Sequence, residues 1–572
     1  MVSTEVIDSD VLVIGGGAAG CRAAIEANDL NVNVVMVVKD IFGRSGCSIM
    51  SAYYSGVGPW ARPGDERNKH FVASVKGSEM LCDQELMKIM IDEGPDRLAE
   101  LERYGAIWDR EQDGRIKTFL TEGHEIPRTL GHGWRSGKEL MRSLTGEILR
   151  RGIQIVEETM VIDLLKHGAS VVGATALSLK NGRFMVFRTK SVVMTTGSPS
   201  QVYRWVSCPP MNTSDGHAMA IRAGAVMRDM EQELWFPACL STTRSEVLRP
   251  RIAIPVTVAG APVRLYNAGG EEFMRRYFPS YPEKVAPKDT IARAIVTEVN
   301  EGRGSPHRGV WADATTIPPE ILKTYEKEFM VVPFQELGVD PKKSWLEIAP
   351  VTNTNSGGIV IDKNAATTVP GLYAAGCCAG GVHGGGRIGG SGIINALTFG
   401  RRAGKSAAEY AQRVKMHPFD NAQIESHREM VHALLNRNEG ITPATVKMKL
   451  KDLMWENVGP VKSASSISKA IATLNRMKSE ELPRLRTRSK TTVYNRDLME
   501  ALEIRNMILV SEVMARSALM RQESRGPFIR TDFPEKDDKN WLRTIFAKLD
   551  EEQLQFWTEE IDFPYLKSGS EQ

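Results

Sequence analysis

The sequence is poor in the features that build metal centres and membrane spans. Its 572 residues include only 7 cysteines, at positions 21, 47, 82, 208, 239, 377 and 378. Their number is odd, their spacing is scattered and no C-x-x-C pair occurs. This speaks against a disulfide framework and against an iron–sulfur or zinc site, so no metal site is expected within the chain. No apolar run reaches the ~18–20 residues that cross a bilayer. Lysine and arginine exceed aspartate and glutamate by only 3, so no broad nucleic-acid footprint is expected. The N-terminal stretch is acidic and lacks the apolar centre of a signal peptide. The expectation is a cytoplasmic chain that meets a membrane, if at all, through partner subunits. A composition of 42% hydrophobic and 25% charged residues is that of an ordinary globular protein, long enough for about three to four domains of ~150 residues.

What is abundant is glycine, and it is placed. The apolar run Val11-Leu-Val-Ile breaks into Gly15-Gly-Gly17-Ala-Ala-Gly20 and continues as Cys21-Arg-Ala-Ala-Ile. That is a strand, a tight turn and a helix start, where a pyrophosphate sits on backbone N–H groups at the positive helix end. A second strand follows over Val32–Val38 and is closed by Lys39. An acid at that place would suit the ribose of NAD. Lysine makes NAD less natural and leaves FAD open, because backbone groups can hold its ribose.

Residues 85–105 and 137–151 carry helical apolar spacing, and short β-type runs follow over 153–157, 160–165, 170–177 and 191–197. Between 226 and 345 prolines cluster and the texture changes, as in an inserted domain. The α/β pattern resumes at Gly357-Gly-Ile-Val-Ile-Asp and at the strand-like Pro370–Gly376. A second glycine-rich run, Gly384-Gly-Gly-Arg387-Ile-Gly-Gly-Ser391-Gly, opens another helix from Ile393. Such a helix start suits a second polar end of the same cofactor, for instance the flavin edge that becomes anionic on reduction. Beyond 415 the pattern is helical. Thr442-Pro443 reads as a cap with proline at the first helical position, and Asp497–Met520 reads as a long amphipathic helix stopped by Arg525-Gly-Pro. The aromatic stretch Gln555–Tyr565 suggests a partner surface.

Several of these segments, in one order, resemble the flavoprotein subunits of succinate dehydrogenase and fumarate reductase, a family with L-aspartate oxidase and the α-subunit of adenylylsulfate reductase. They are the two glycine turns, Asn212-Thr-Ser-Asp215-Gly-His, Glu272-Phe-Met, Asn300-Glu-Gly-Arg, Gly371-Leu-Tyr-Ala-Ala-Gly and Glu523-Ser-Arg-Gly…Arg530-Thr-Asp-Phe-Pro-Glu-Lys. The resemblance covers nearly the whole chain. It implies an α/β, Rossmann-like FAD-binding domain (1–225 and 346–414), interrupted by an α+β capping domain (226–345) and followed by a C-terminal helical domain with its tail (415–572). It also implies FAD contacts at Gly15, Gly17, Ala18, Ala19, Lys39, Ser45, Gly46, Val161, Thr196, Gly197 and Asp215. Further contacts are implied at Gly376, Cys377, Arg387, Ser391 and Ile393. Cys377 stands where most relatives carry a glutamate, which puts that contact in doubt.

The departures concern chemistry. Relatives attach FAD through a histidine in an Arg-Ser-His-Thr segment; here the string is Arg44-Ser-Gly46-Cys47, so FAD is expected to be non-covalent. Relatives hold a dicarboxylate with two histidines and pass a proton through an arginine. Here the histidine segments read Trp235-Phe236-Pro237-Ala238 and Val351-Thr-Asn353-Thr, and Ala259–Tyr266 has no arginine at the matching place. A buried carboxylate without partners is costly, which argues against plain succinate or fumarate as substrate. The candidates for catalysis are Arg387, His383, Asn353 and His132. Arg387 reads either as an anion clamp or as an arginine that bonds loop carbonyls, and His383 as a proton donor or a structural histidine. Arg264 is a candidate replacement for the lost arginine. Trp235 and Phe236 suit an apolar substrate wall or the core of the cap. The neighbours Cys377 and Cys378 read as packing rather than as a strained redox bridge.

The implied reaction is hydride transfer between flavin N5 and a C–C or C=C bond of a small acid, acyl or cyclic substrate, with electrons exchanged with an iron–sulfur subunit. Three alternatives stay open: sulfur chemistry as in adenylylsulfate reductase, oxidation of an amino acid or amine by oxygen, and electron transfer without a substrate of its own.

Overall fold

The computed structural model describes residues 5–568, apart from 122, 134, 242–256, 259–260, 284–285, 287, 324–334, 337 and 339. Strand β1 (Glu5–Ile14) enters the first glycine turn and leaves it as helix α1 (Ala18–Asp29), which returns as strand β2 (Val34–Val37). The two strands run parallel, from Val11 opposite Val34 to Ile14 opposite Val37. Gly20 is required here, because a Cβ on it would run into the carbonyl oxygen of Gly15. Helices α2 (Gln84–Arg103) and α3 (Ser136–Arg150) lie where the apolar spacing puts them. Strands β3 (Gln154–Val156), β4 (Thr159–His167), β5 (Ser170–Ser178) and β6 (Phe184–Met194) follow.

They form one sheet in the order β3-β2-β1-β6-β5-β4, with the short strand Leu372–Ala374 also paired to β6. The pairings around β1 and β2 are parallel, and the β4–β5–β6 side is antiparallel. Helix α4 (Asp215–Ala223) follows the sheet and lies almost wholly buried.

Strand β7 (Met227–Arg228) pairs with Gly358–Ile359. The chain then builds a separate antiparallel sheet in the order β8-β11-β10-β9, from β8 (Glu233–Leu240), β9 (Arg264–Tyr266), β10 (Val310–Asp313) and β11 (Leu346–Asn355). With helix α5 (Lys288–Asn300) this sheet closes its own apolar core of Leu240, Leu265, Phe273, Ile295, Val310 and Ile348. The sheet does not stop at 345, where the change of composition puts the end of the inserted part. β11 pairs with both β8 and β10, and proline density marks the loops rather than the strand between them.

Helix α6 (Ser391–Arg413) crosses α1 at backbone contact, where a Cβ on Gly404 would collide with the carbonyl oxygen of Ala23. The helical part contains α7 (Pro443–Val458), begun by Thr442 and Pro443 as the sequence predicts, α8 (Ala464–Arg476) and α9 (Arg496–Met520). Two expectations are corrected here. Helix α9 is not amphipathic: it is buried on almost every face, between α7, α8 and α4. The pattern beyond 415 is not helical to its end. Strands β12 (Arg543–Asp550) and β13 (Gln553–Glu560) form a hairpin, and β12 pairs with β7. Trp557 stacks on Phe546 at 5.4 Å, so part of the aromatic stretch assigned to a partner surface packs within the chain. Among the described residues no helix is long and apolar enough to cross a membrane.

Candidate active site

A cavity of about 1350 Å³ runs from the first glycine turn to the second. At one end it is walled by Gly15, Gly17, Ala18, Ala19, Lys39, Val161, Thr196, Gly197 and Asp215. Arg387 and Ile393 line it at the second turn, Asn353, Cys377, Ser45 and Gly46 line it too, and Gly376 sits beside Ala19. The FAD contacts taken from the resemblance therefore converge, except Ser391. That residue is buried at the first turn of α6, its Oγ 3.4 Å from the Oγ of Ser55.

Two helices start at this cavity with glycine at the cap position and no side-chain cap, α1 at Gly17 and α6 at Gly390. Their first turns leave backbone N–H groups and a positive dipole end for a ligand. At the start of α1 Ser48 Oγ accepts the Ala18 N–H at 3.0 Å. Two such ends, one at the Rossmann turn and one beside Arg387, fit a long ligand with a pyrophosphate and a second anionic edge. FAD has that form.

Lys39 is partly buried and donates to Thr213 Oγ1 at 2.9 Å, Asp215 Oδ2 at 2.9 Å and Glu503 Oε1 at 2.5 Å. Burial works against its charge, but the two carboxylates outweigh it and hold the amine above its ordinary range. Asn506 completes the group by donating to Asp215 Oδ1 at 2.8 Å. Glu503 and Asn506 belong to α9, so the helical part reaches the dinucleotide end of the cavity. The motifs do not point to them. The available signal is two polar residues on a helix that buries every face.

The substrate end is different. Arg387 lines the cavity, and among the described residues no carboxylate pairs with it. Gly392 gives its guanidinium room, since a Cβ there would meet Nη1 at 2.5 Å. Asn353 lines the same wall, its Oδ1 accepting from Ser207 Oγ at 3.3 Å. Trp235 and Phe236 face the cavity too, Trp235 packed edge-on against Tyr203 at 5.2 Å and Trp455 at 5.8 Å.

The histidines lie elsewhere. His383 is buried outside the lining, with Nε2 and Asn395 Nδ2 3.1 Å apart. Burial and the positive charge of Arg387 hold its pKa well below the usual value, so the ring is neutral. His132 is not among the lining residues; its Nδ1 is 2.9 Å from Asp109 Oδ1. Arg264 is exposed on β9 and pairs with Glu272 at 3.6 Å. It does not replace the missing arginine, and residues 259–260 of that segment lie outside the described residues. Cys377 and Cys378 are both free thiols.

At the start of β8, outside the cavity lining, lies Glu233, fully buried. It accepts from Ser200 Oγ at 2.7 Å, Asn355 Nδ2 at 3.0 Å and the Thr352 hydroxyl. Burial outweighs these bonds and pushes its pKa up to about 7. A glutamate on a cap strand carries no motif, so the sequence does not single it out.

Comparison with known proteins agrees with this geometry. The family described as "FAD binding domain" matches residues 10–393, and "Fumarate reductase flavoprotein C-term" matches 447–570. A fumarate reductase (CoM/CoB) subunit of Methanothermobacter marburgensis is 35% identical over 549 residues, covering 95% of this chain and 98% of that protein. Mycobacterium smegmatis Sdh1 superposes with a TM-score of 0.90 at 30% identity, covering 98% of this chain and 96% of its own. The E. coli quinol fumarate reductase protein FrdA gives a TM-score of 0.89 at 27% identity over 99% of both chains.

Proposed function

Since the chain belongs to the fumarate reductase and succinate dehydrogenase flavoprotein family, we propose that it acts on a C–C or C=C bond of a substrate bearing one anionic group, other than succinate and fumarate. The chain is an FAD-dependent oxidoreductase. FAD supplies the hydride acceptor or donor; the protein supplies position, charge and a closed site. The observation that carries the reading is Arg387, a guanidinium in the cavity wall with no carboxylate partner among the described residues. It clamps one anionic group by charge-assisted hydrogen bonds. The positions where relatives hold a second carboxylate carry Phe236 and Asn353, and a second charge would be left under-paired there at a cost of several kcal/mol. Trp235 and Phe236 instead favour an apolar or cyclic body. The sheet of β8–β11 lies over this end and shields the transfer from water.

Electrons leave to an iron–sulfur partner in this reading. Among the described residues no group of three or more histidine, cysteine, aspartate or glutamate side chains forms a metal site. Relatives of the chain are subunits of larger enzymes, which supports a partner.

The test is anaerobic reoxidation of the reduced, FAD-loaded protein by a panel of mono-acid and cyclic enoates, fumarate and adenylylsulfate. The reading requires the fastest return of flavin absorbance with a mono-acid or acyl compound. Faster reoxidation by fumarate overturns the substrate assignment, and faster reoxidation by adenylylsulfate overturns the carbon chemistry. Stoichiometric peroxide from air-oxidised protein overturns the iron–sulfur partner.

A further inference from the structure

Strand β6 ends at Met194, and the chain continues as Thr195-Thr-Gly-Ser198-Pro-Ser200. Ser198 lines the cavity; Ser200 does not and is fully buried. The two hydroxyl oxygens are 2.6 Å apart, and Ser200 Oγ donates to Glu233 Oε1 at 2.7 Å. Three side chains thus form an unbroken hydrogen-bonded row from a buried carboxyl to a lining residue. Each end of the row is fixed. Ser198 Oγ accepts the Asn355 N–H at 3.2 Å and the Ser200 N–H at 3.4 Å. Glu233 also accepts from the Thr352 hydroxyl and from Asn355 Nδ2 at 3.0 Å. These anchors belong to β8 and β11, the same two strands that carry Trp235, Phe236 and Asn353 to the cavity wall.

A reaction that adds a hydride to one carbon of a C=C bond must add a proton to the other. Among the described residues no histidine lines the cavity, and the lining lysine, Lys39, is tied to Asp215 and Glu503. Arg387 keeps its charge at any working pH. The Glu233 carboxyl, pushed up to about 7 by burial, both holds and releases a proton near neutral pH. It stands outside the lining and needs a carrier. Serine hydroxyls serve as one, since each accepts a proton while donating another.

We propose that Glu233, Ser200 and Ser198 form a proton relay to the substrate, a role that rests on the carbon chemistry proposed above. Ser198 Oγ gives its proton to the carbon next to the one that takes the hydride, Ser200 Oγ gives its own to Ser198, and Glu233 gives its proton to Ser200. One C–H bond forms at the substrate and one O–H bond breaks at Glu233. The carboxylate left behind regains a proton from water before the next turnover. The hydride carries both electrons, so the relay is neither oxidised nor reduced. Oxidation of the saturated compound runs the same transfers backwards. Ser198 is the member that meets the substrate, and Ser200 and Glu233 act through it.

The experiment is anaerobic stopped-flow reoxidation of the reduced, FAD-loaded full chain and its Glu233→Gln, Ser200→Ala and Ser198→Ala variants. Two acceptors are compared: the carbon compound that reoxidises the wild type fastest, and ferricyanide, which takes single electrons and needs no proton on carbon. Each variant is expected to slow the carbon acceptor about 10²-fold, the lower range for a lost general acid, and to leave the ferricyanide rate unchanged. Ser200→Thr, which keeps the hydroxyl, is expected to recover most of the lost rate. If a serine variant loses FAD, Glu233→Gln decides, since it keeps the shape of the side chain and removes only the proton. Glu233→Gln at the wild-type rate, or slowed equally with both acceptors, overturns the relay and leaves the carbon chemistry standing. A wild type that no carbon acceptor reoxidises overturns the carbon chemistry, and the relay falls with it.

Discussion

The two ends of the cavity are made of different material. The dinucleotide end is built mainly from backbone, with glycines where the chain must come close and a helix start with open N–H groups, beside the Lys39–Asp215–Glu503 cluster. The substrate end is built from side chains that reach in from several segments, Arg387 from a turn, Trp235 and Phe236 from β8, and Asn353 from β11. Backbone sites tolerate almost no change, because a single Cβ fills the space the ligand or a neighbouring strand needs. Side-chain sites change one residue at a time, and each change alters what they bind. The family resemblance accordingly holds at the first end and breaks at the second.

The largest effect is expected from attacking the backbone end. Gly20→Val places a branched side chain against the Gly15 carbonyl, and the protein is expected to purify nearly colourless. The flavin-to-protein absorbance ratio checks this, and a ratio equal to the wild type would show that the turn is not where FAD is seated. At the other end, Arg387→Ala is expected to keep FAD and slow reoxidation by the best acid substrate about 10²–10³-fold, the size seen when one preorganised charge donor is lost. Arg387→Lys is expected to recover only part of that, since lysine cannot bind an anion in two places at once. An Arg387→Ala variant that loses FAD instead would make the arginine part of the cofactor seat and erase the contrast between the two ends.

Glu233 sharpens the comparison through pH. Its pKa in the fold is about 7, against 4.5 for an ordinary glutamate. Below pH 4.5 both folded and unfolded chains hold the proton and the group costs nothing. As pH rises through the window from 4.5 to 7 the unfolded chain releases the proton first, so stability falls, and above 7 the full cost is present. Lys462 nearby, itself pushed down to about 7 by burial, offsets part of it where it is charged. Glu233→Gln is expected to stabilise the protein by about 2 kcal/mol at pH 8 and by almost nothing at pH 4. Thermal melts at the two pH values measure it.

What the sequence discloses follows the same division. The first sheet, the helix after each glycine turn and the start of α7 are legible because each rests on local signals: apolar runs, glycines and a capped proline. The terminal hairpin is not. Its two-residue turn is Glu551-Glu552, both in the left-handed region at φ 42° and 68°, where an Asn-Gly pair would have announced it. Helix α9 misleads for another reason: partners on several sides leave it without a polar face, so periodicity does not show how it is oriented. The contact of Glu503 with Lys39 spans 464 positions in the chain, and no local pattern reports such a pairing. His383 and His132 are drawn into the site by their nearness in sequence to functional residues, yet hydrogen bonds turn their rings to Asn395 and Asp109.

The smallest expected effect is the most direct test of why the two ends differ. If the substrate end rejects dicarboxylates because two hydrogen-bond donors are missing, restoring them should readmit one. Phe236 and Asn353 both line the cavity, at the places where the family resemblance implies histidine. The double variant Phe236→His, Asn353→His leaves Arg387 in place and adds two donors for a second carboxylate. Each hydrogen bond to a charged group is worth about 1.5–3 kcal/mol when well formed. Part of this is spent on opening the Trp235 wall and on charging an imidazole near the Arg387 guanidinium. The net expectation is a modest gain, about tenfold in kcat/KM for fumarate, with no change in FAD content. Phe236→His alone is expected to gain less, because a single donor leaves the second carboxylate half satisfied. No gain in the double variant would mean that the missing proton-relay arginine, rather than the missing histidines, separates this site from those of its relatives.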